Sequence, residues 1–356
     1  MPNLLDPAEH ARISKEIQQT YLKDVESRDQ PRAILIGGQP GAGKSAITHL
    51  SVQDMRYQGG AVKIDVDELR DEHPMYEDLM AINDKTAASK VHDDASAWAD
   101  QLFQAAIDKR ANIILDSTMG HPESVMRRTE ALRAANYQIE VRVVAVSEYA
   151  SQLGIRDRYE TQKAELGAGR WLPREVHDQA YEGLPRSLEA IEANKSADSL
   201  KVMRRSGTTV YENVLGHGGQ WSKEPAGADT LRSLRAVQWQ ALDIGQHFER
   251  WDRVNERMRD RGADPADIRE ARNMQKAHAF ALQEPKVVVT KYPDLVNAYA
   301  MLRAGELKAR ERDDKGDEDF RAALQRNLVR KISNGDDLPQ VKVKDRTAEQ
   351  DSDRDR

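Results

Sequence analysis

The residues with the plainest chemical purpose lie at 38–45: Gly38, Gln39, Pro40, Gly41, Ala42, Gly43, Lys44 and Ser45, a G-x-x-x-x-G-K-S loop. The apolar run Ala33-Ile34-Leu35-Ile36 precedes it and a helix-forming stretch follows. That strand–loop–helix context is the one in which such a loop cradles phosphates. Glycines at 38, 41 and 43 permit a tight turn that aims successive backbone N–H groups at phosphate oxygens. The start of the next helix adds its positive dipole end. Lys44 supplies a point charge and the Ser45 hydroxyl a ligand for Mg²⁺. All eight residues are therefore candidates for binding a nucleoside triphosphate. The loop leaves open what receives the phosphate.

Acceptor chemistry is sought where the other strands end, because ligands of open α/β sheets bind beyond the carboxyl ends of the strands. The second apolar strand, Ala61–Ile64, runs into Asp65-Val66-Asp67-Glu68-Leu69-Arg70, followed by His73-Pro74. A kinase acting on an alcohol needs a carboxylate to orient the hydroxyl and take its proton, and Asp67 is the candidate. Asp65 reads equally as a helix cap and as a site residue. Arg70 reads equally as a phosphate ligand and as the partner of a neighbouring carboxylate. The third strand, Asn112–Leu115, ends in Asp116-Ser117-Thr118, where a carboxylate would hold Mg²⁺ through water or bind the acceptor, or simply cap a helix. Further on, Arg158 and Arg170 flank Gly167-Ala168-Gly169. Guanidinium groups suit the charge that spreads over a phosphoryl group in flight, and a glycine-containing segment between them suits a mobile lid. Arginines on a solvated helix face are the ordinary alternative.

These side chains need a scaffold of strands separated by helices. Helical patterns cover 7–27, 45–55, 85–109, 123–135 and 174–193, and strands 33–37, 61–64, 112–115 and 141–146 alternate with them. A short pair of strands follows at 200–203 and 209–211, turning at Ser206-Gly207. The pattern predicts a P-loop kinase-like α/β fold, a mainly parallel sheet with helices on both faces. It occupies 1–215. Residues 216–228, with four glycines and Pro225, read as a linker. Residues 229–343 read as a helical accessory domain broken at 262–265, 284–285 and 292–293, with Lys286–Thr290 extended. Its stripes (Trp239, Leu242, Phe248, Trp251, then Leu295, Tyr299, Leu302) suit a helical core, or a surface that docks on the kinase domain or a partner and restrains it in cis. The polar tail 344–356 reads as disordered.

Bulk composition narrows the partners. The chain has 356 residues, 32% charged and 39% hydrophobic, with net charge −6. That balance disfavours a broad nucleic-acid or anionic-membrane surface. No cysteine is present, which removes disulfides and cysteine chemistry and fits a cytoplasmic protein. The first residues lack a basic-then-apolar leader, and no apolar run approaches the roughly 20 residues of a membrane span.

Taken in order, Gly37–Ser45, the Asp65-x-Asp67…His73-Pro74 pairing, Asp116-Ser117-Thr118, Arg158-Tyr159-Glu160 and Arg170 resemble the zeta toxin family of bacterial toxin–antitoxin systems. The resemblance covers about residues 10–213. It implies a kinase that uses ATP or GTP to phosphorylate the 3′-hydroxyl of the amino sugar in UDP-N-acetylglucosamine, and so acts as a toxin. By position it makes Asp67 the catalytic base, Lys44 the phosphate-binding lysine, and Arg158 and Arg170 the transition-state arginines. It makes Asp100, Asp116 and Thr118 substrate-binding residues, with Asp65 and Arg70 beside them, and it implies a helical antitoxin protein as partner. Four departures fall on the acceptor side: Asp100 and Asp116 stand where the family carries Glu, Ser117 where Gly is usual, and Gly120 where Arg is usual. A kinase for another small molecule or a nucleic-acid end, and a nucleotide-dependent switch, are the other readings. A switch has no need of an acceptor-side base.

Overall fold

In the computed structural model, which describes residues 5–310 and 317–338, the chain divides into two compact units, Met1–Gln238 and Trp239–Arg356. The tail predicted from 344 lies outside the described residues.

The first unit is built on a six-stranded sheet: β1 (Arg32–Gly37), β2 (Val62–Asp65), β3 (Ile113–Asp116), β4 (Gln138–Ala145), β5 (Ser199–Arg204) and β6 (Thr209–Val214). Its order is β2-β3-β1-β4-β5-β6, with every pair parallel except β5–β6. The helices are α1 (Pro7–Leu22), α2 (Lys44–Arg56), α3 (Val66–Leu69), α4 (Tyr76–Lys90), α5 (His92–Asp108), α6 (Pro122–Ala134), α7 (Glu148–Leu166), α8 (Arg174–Asn194) and α9 (Gly227–Arg235).

Side-chain alternation along the strands produces the two layers. Ala33 and Leu35 of β1, with Ile113 and Leu115 of β3, join one core with Ile17, Trp98, Leu102, Leu132 and Leu188. Ile34 and Ile36, with Ile114 and Val144, join the other with Ile47 and Met55 of α2. Because both faces are covered, the central strands read as unbroken apolar runs rather than as alternating ones. Each such fully buried side chain stabilises the fold by roughly 1.5–3 kcal/mol.

The topology also fixes where a ligand goes. Helix α2 leaves β1 toward one layer, while α6 leaves the adjacent β3 toward the other. The crevice opened by this divergence lies beyond the ends of β1 and β3. It brings the 38–45 loop beside Asp116.

Local details of the first unit differ from the sequence reading. The helical stretch 85–109 is two helices, and α4 is itself interrupted at Asn83 (φ −159°, ψ 94°). No Gly or Pro marks the α4–α5 junction; burial of Val91 fixes it. Residues 216–226 are ordered against β6 and α8: Trp221 Nε1 donates to the Glu192 carbonyl (2.7 Å) and Lys223 N to Asn213 Oδ1 (3.0 Å). The following α9 places Ala228 and Leu231 in the first unit's core, so this unit runs on past 215.

The second unit is helical: α10 (Ala241–Asp260), α11 (Pro265–Leu282), α12 (Pro285–Lys291), α13 (Val296–Arg310) and α14 (Asp317–Asn334). Trp251, Val254, Met258, Ala271 and Leu328 are buried in it. Breaks fall at 262–265, 284–285 and 292–293, as the Gly and Pro positions predict. Lys286–Thr290, expected to be extended from its Val-Val-Val run, is the helix α12. Pro285 opens that helix and Val288 is fully buried, so packing overrides the β-preference of valine. Among the described residues no helix is long and apolar enough to cross a membrane.

Candidate active site

The donor side is set by backbone. Gly41 and Gly43 hold φ of 77° and 83°, a region that side chains rarely enter. A Cβ at Gly41 would also stand 2.1 Å from the Ser151 carbonyl of α7, so the loop closes against that helix only with glycine there. Gly43 caps α2 without a side-chain acceptor, which leaves first-turn N–H groups for a phosphate. Gln39 is fully buried, and its Nε2 donates to the Val146 carbonyl (2.7 Å) and Ser151 Oγ (3.3 Å). Its side chain thus secures the loop, and phosphate contact is left to its backbone. Lys44 Nζ donates to the Gly38 carbonyl (3.1 Å) and lies 3.7 Å from Asp116 Oδ1. Asp116 Oδ2 accepts from Thr48 Oγ1 at 2.7 Å. Ser45 is exposed on the first turn of α2.

The acceptor side is set by side chains. Asp65 closes β2 and caps α3, accepting from Asp67 N at 2.9 Å, and its neighbour in register on β3 is Asp116. Burial, then the charges of Asp116 and Asp67, push the Asp65 carboxyl up to about 6. Burial acts in the same direction on Asp67, but Arg70, Arg158, Lys44 and Arg170 outweigh it and hold that carboxyl below its usual range. Arg70 Nη1 lies 2.7 Å from Asp67 Oδ1, and Nη2 donates to His92 Nδ1 at 3.3 Å. The carboxylate reading of Arg70 is the one the geometry realises. Burial lowers the pKa of Arg158, and Asp67 opposes that shift. Arg170 Nη2 donates to Asp71 Oδ2 at 2.5 Å.

The segment before Arg170 is tied to α4 and α7 by side-chain contacts. Asp84 accepts from Gly169 N (3.0 Å), Tyr159 OH (3.1 Å) and Lys163 Nζ (2.8 Å). Trp171 packs edge-on against Tyr159 and lies 4.4 Å beneath the Arg156 guanidinium. Arg170 follows directly on the Gly169 N–H that Asp84 holds. An open pocket of about 590 Å³ adjoins it, lined by Asp71, His73, Tyr76 and Gln162 among others.

Beyond β3, Thr118 Oγ1 accepts from Gly120 N at 3.3 Å. A Cβ on Gly120 would meet the Ala180 backbone of α8 at 2.8 Å, so close packing of that helix accounts for glycine at this position. Asp100 stands apart from the others: on α5 its side chain is 69% exposed and accepts from Arg128 Nη2 at 3.0 Å. The structure thus gathers Lys44, Asp65, Asp67, Arg70, Asp116, Arg158 and Arg170 into one electrostatic group and leaves Asp100 on a solvated face. Thr48, Asp71, Asp84 and His92 support this group and were not legible beforehand. Two had a signal, since Thr48 follows Lys44 by one helical turn and Asp71 follows Arg70 directly.

The donor set suits a magnesium ion. Asp65 and Asp116 bring two carboxylates together at neighbouring strand ends, where a cation would relieve their mutual repulsion. Ser45 adds a hard hydroxyl oxygen, and Mg²⁺ characteristically takes one or two carboxylates with phosphate and water.

Comparison with known proteins agrees with this geometry. The zeta toxin family model matches residues 18–215, more than half of the chain. Toxin zeta of Enterococcus hirae is 26% identical over 204 residues, 57% of this chain and 70% of that protein. Toxin PezT of Streptococcus pneumoniae is 27% identical over 224 residues, 61% and 83% of the two chains. A solved structure from the PezAT chromosomal toxin–antitoxin system of Streptococcus pneumoniae superposes with a TM-score of 0.59 at 22% identity, covering 71% of this chain and 98% of that one. At that identity the likeness speaks for the fold.

Proposed function

The chain belongs to the zeta toxin family, kinase-like toxins of toxin–antitoxin systems, and on that premise we propose that it transfers the γ-phosphate of ATP or GTP to the 3′-hydroxyl of the amino sugar in UDP-N-acetylglucosamine. The observation that carries the kinase reading is the Asp67 carboxylate, held ionised among Arg70, Arg158, Lys44 and Arg170 beside a phosphate loop. A nucleotide switch has no use for a base so placed.

The chemistry follows from charge. Asp67 Oδ1 is engaged by Arg70, which leaves Oδ2 to accept a hydrogen bond from the acceptor hydroxyl and take its proton. A lowered pKa weakens Asp67 as a base, yet a loose phosphoryl-transfer transition state asks mainly for orientation of the nucleophile. Lys44, Arg158 and Arg170 offset the negative charge spread over the equatorial oxygens and the charge that builds on the β–γ bridging oxygen as its bond breaks. Ser45, with Asp116 through water, would hold Mg²⁺, which would supply positive charge against the phosphates. Asp65, Asp116 and Thr118 line the acceptor side. We place Asp100 at its margin, reached only if Arg128 releases it.

The remaining assignments belong to the same proposal: the protein acts as a toxin in the cytoplasm, and a helical antitoxin is its partner. The first unit is the kinase module and the second an accessory domain. The test is incubation of purified protein with Mg-ATP and UDP-N-acetylglucosamine, with Asp67→Asn as control, read by mass spectrometry. A phosphorylated sugar nucleotide from wild type alone supports substrate and base together. Its absence, with ATP binding intact, discards this acceptor.

A further inference from the structure

We infer that Arg235 is a positioning residue for nucleotide binding, reaching from α9 to hold the phosphate loop in shape through Gln39. The inference rests on the proposed use of that loop for a nucleoside triphosphate. Arg235 lies outside the residues that the family model matches, and 196 positions separate it from Gln39.

Its surroundings do not suit a charge kept for stability. Arg235 is 7% exposed, and no carboxylate pairs with it directly among the described residues; the charge of Glu148 acts on it from beyond ion-pair distance. Nε is buried without a hydrogen-bond partner. What the guanidinium does have is three neutral contacts: Nη1 donates to the Tyr181 carbonyl (2.7 Å), the Tyr181 ring lies 3.9 Å away, and Nη2 donates to Gln39 Oε1 (2.8 Å). A buried cation with no carboxylate in direct contact costs stability, and an apolar side chain of similar volume fills such a site as well or better.

The contact with Gln39 explains why a cation stands there. An arginine only donates and a carbonyl only accepts, so Arg235 at one end and the Val146 carbonyl at the other allow one orientation of the Gln39 amide. That amide is thereby clamped between α9 and the end of β4, in the middle of the turn from Gly38 to Gly41. Remove the guanidinium and Oε1 is buried without a donor. The amide then turns or the loop shifts, and its N–H groups lose their common focus on the phosphates.

The test uses the full chain and a fluorescent ATP analogue with Mg²⁺, so turnover is not needed. Arg235→Met keeps packing against Tyr181 and removes every donor. Its Kd should rise about tenfold, the scale of one lost hydrogen bond to a charged group, while the melting temperature without nucleotide holds or rises. Arg235→Lys keeps one donor and should lose only about threefold. In a Gln39→Met background, Arg235→Met should change Kd by less than about twofold, because the shared contact is already gone. An unchanged Kd in Arg235→Met, or independent multiplication of the two effects, overturns the inference. A falling melting temperature with Kd retained assigns Arg235 to stability alone and overturns it too. If Arg235→Met does not fold, Arg235→Lys carries the test, with unchanged Kd as the overturning result. Wild type that binds no nucleotide instead removes the kinase reading itself, and the inference with it.

Discussion

The two halves of the candidate site are built differently. The donor half is eight consecutive residues whose backbone does the work, buttressed from behind by buried groups: Ser151 against Gly41, and Val146 and Arg235 on Gln39. The acceptor half is a set of side chains drawn from four segments and paired with one another, Arg70 with Asp67 and Arg170 with Asp71. A phosphate entering the first half meets backbone N–H groups and one side chain, Lys44, that must turn from the Gly38 carbonyl. An acceptor entering the second must exchange partners with ion pairs already formed. On the proposed function, acceptor choice falls to the paired side chains and the phosphate grip to the backbone loop.

The sharpest way to break this contrast is to disable one half and read the other. Asp67→Asn should lower the phosphorylation rate by about 10²–10⁴-fold while nucleotide Kd stays within about twofold. Lys44→Met should lower the rate by a similar factor and weaken nucleotide binding as well. Equal loss of nucleotide affinity in both variants, measured by titration, would merge the two halves into one.

A smaller effect distinguishes the role of Arg170 from its pairing with Asp71. Arg170→Ala should cost about 10²-fold in rate, as loss of one charge-stabilising donor does. Asp71→Asn only frees Arg170 from its bridge and should change the rate by about threefold or less, because exposed ion pairs contribute little. A loss in Asp71→Asn as large as that in Arg170→Ala would show that the bridge, not the cation, is what matters.

Stability supplies a third test. A chain ending at 238 keeps the first unit's core whole, whereas one ending at 215 loses α9 with Leu231 and Ala228. The shorter chain should be less stable to urea by about 2–5 kcal/mol, the range for emptying a buried leucine site, and should bind nucleotide more weakly. Equal unfolding midpoints for the two chains would contradict the place given to α9.

The smallest effect is a pH dependence. A carboxyl whose folded pKa is raised resists ionising in the fold, so it withdraws stability as pH climbs past its unfolded value and has withdrawn all of it above the folded value. For Asp65 the window runs from the ordinary value of 3.8 to about 6. Asp65→Asn keeps the cap on α3, since Asn caps as well as Asp. Its melting temperature should match wild type below about pH 4 and exceed it by a few degrees at pH 7. A difference that is the same at both pH values would place the raised pKa elsewhere.

Which features were readable in advance follows from how far apart their causes lie along the chain. The phosphate loop, the apolar strands and the breaks at Gly262 and Pro285 each depend on a few adjacent residues, so local sterics and periodicity announce them. The helix at Pro285–Lys291 went the other way, because three valines argue for a strand until Val288 is given a core to enter. Asp100 illustrates the opposite hazard, a residue placed in the site by its position in a motif series and found paired with Arg128 on an exposed face.

By itself the amino-acid sequence determined an α/β kinase-like sheet with a helical extension, the loop that grips phosphate, and Asp67 as the carboxylate beside it. Those features are encoded in backbone conformations and burial patterns of contiguous residues. Only the tertiary structure decided that Asp84 anchors the loop bearing Arg170 and that Arg235 secures Gln39. Hydrogen bonds and ion pairs act over about 3–4 Å, and whether residues scores to hundreds of positions apart come that close depends on the path of the whole chain.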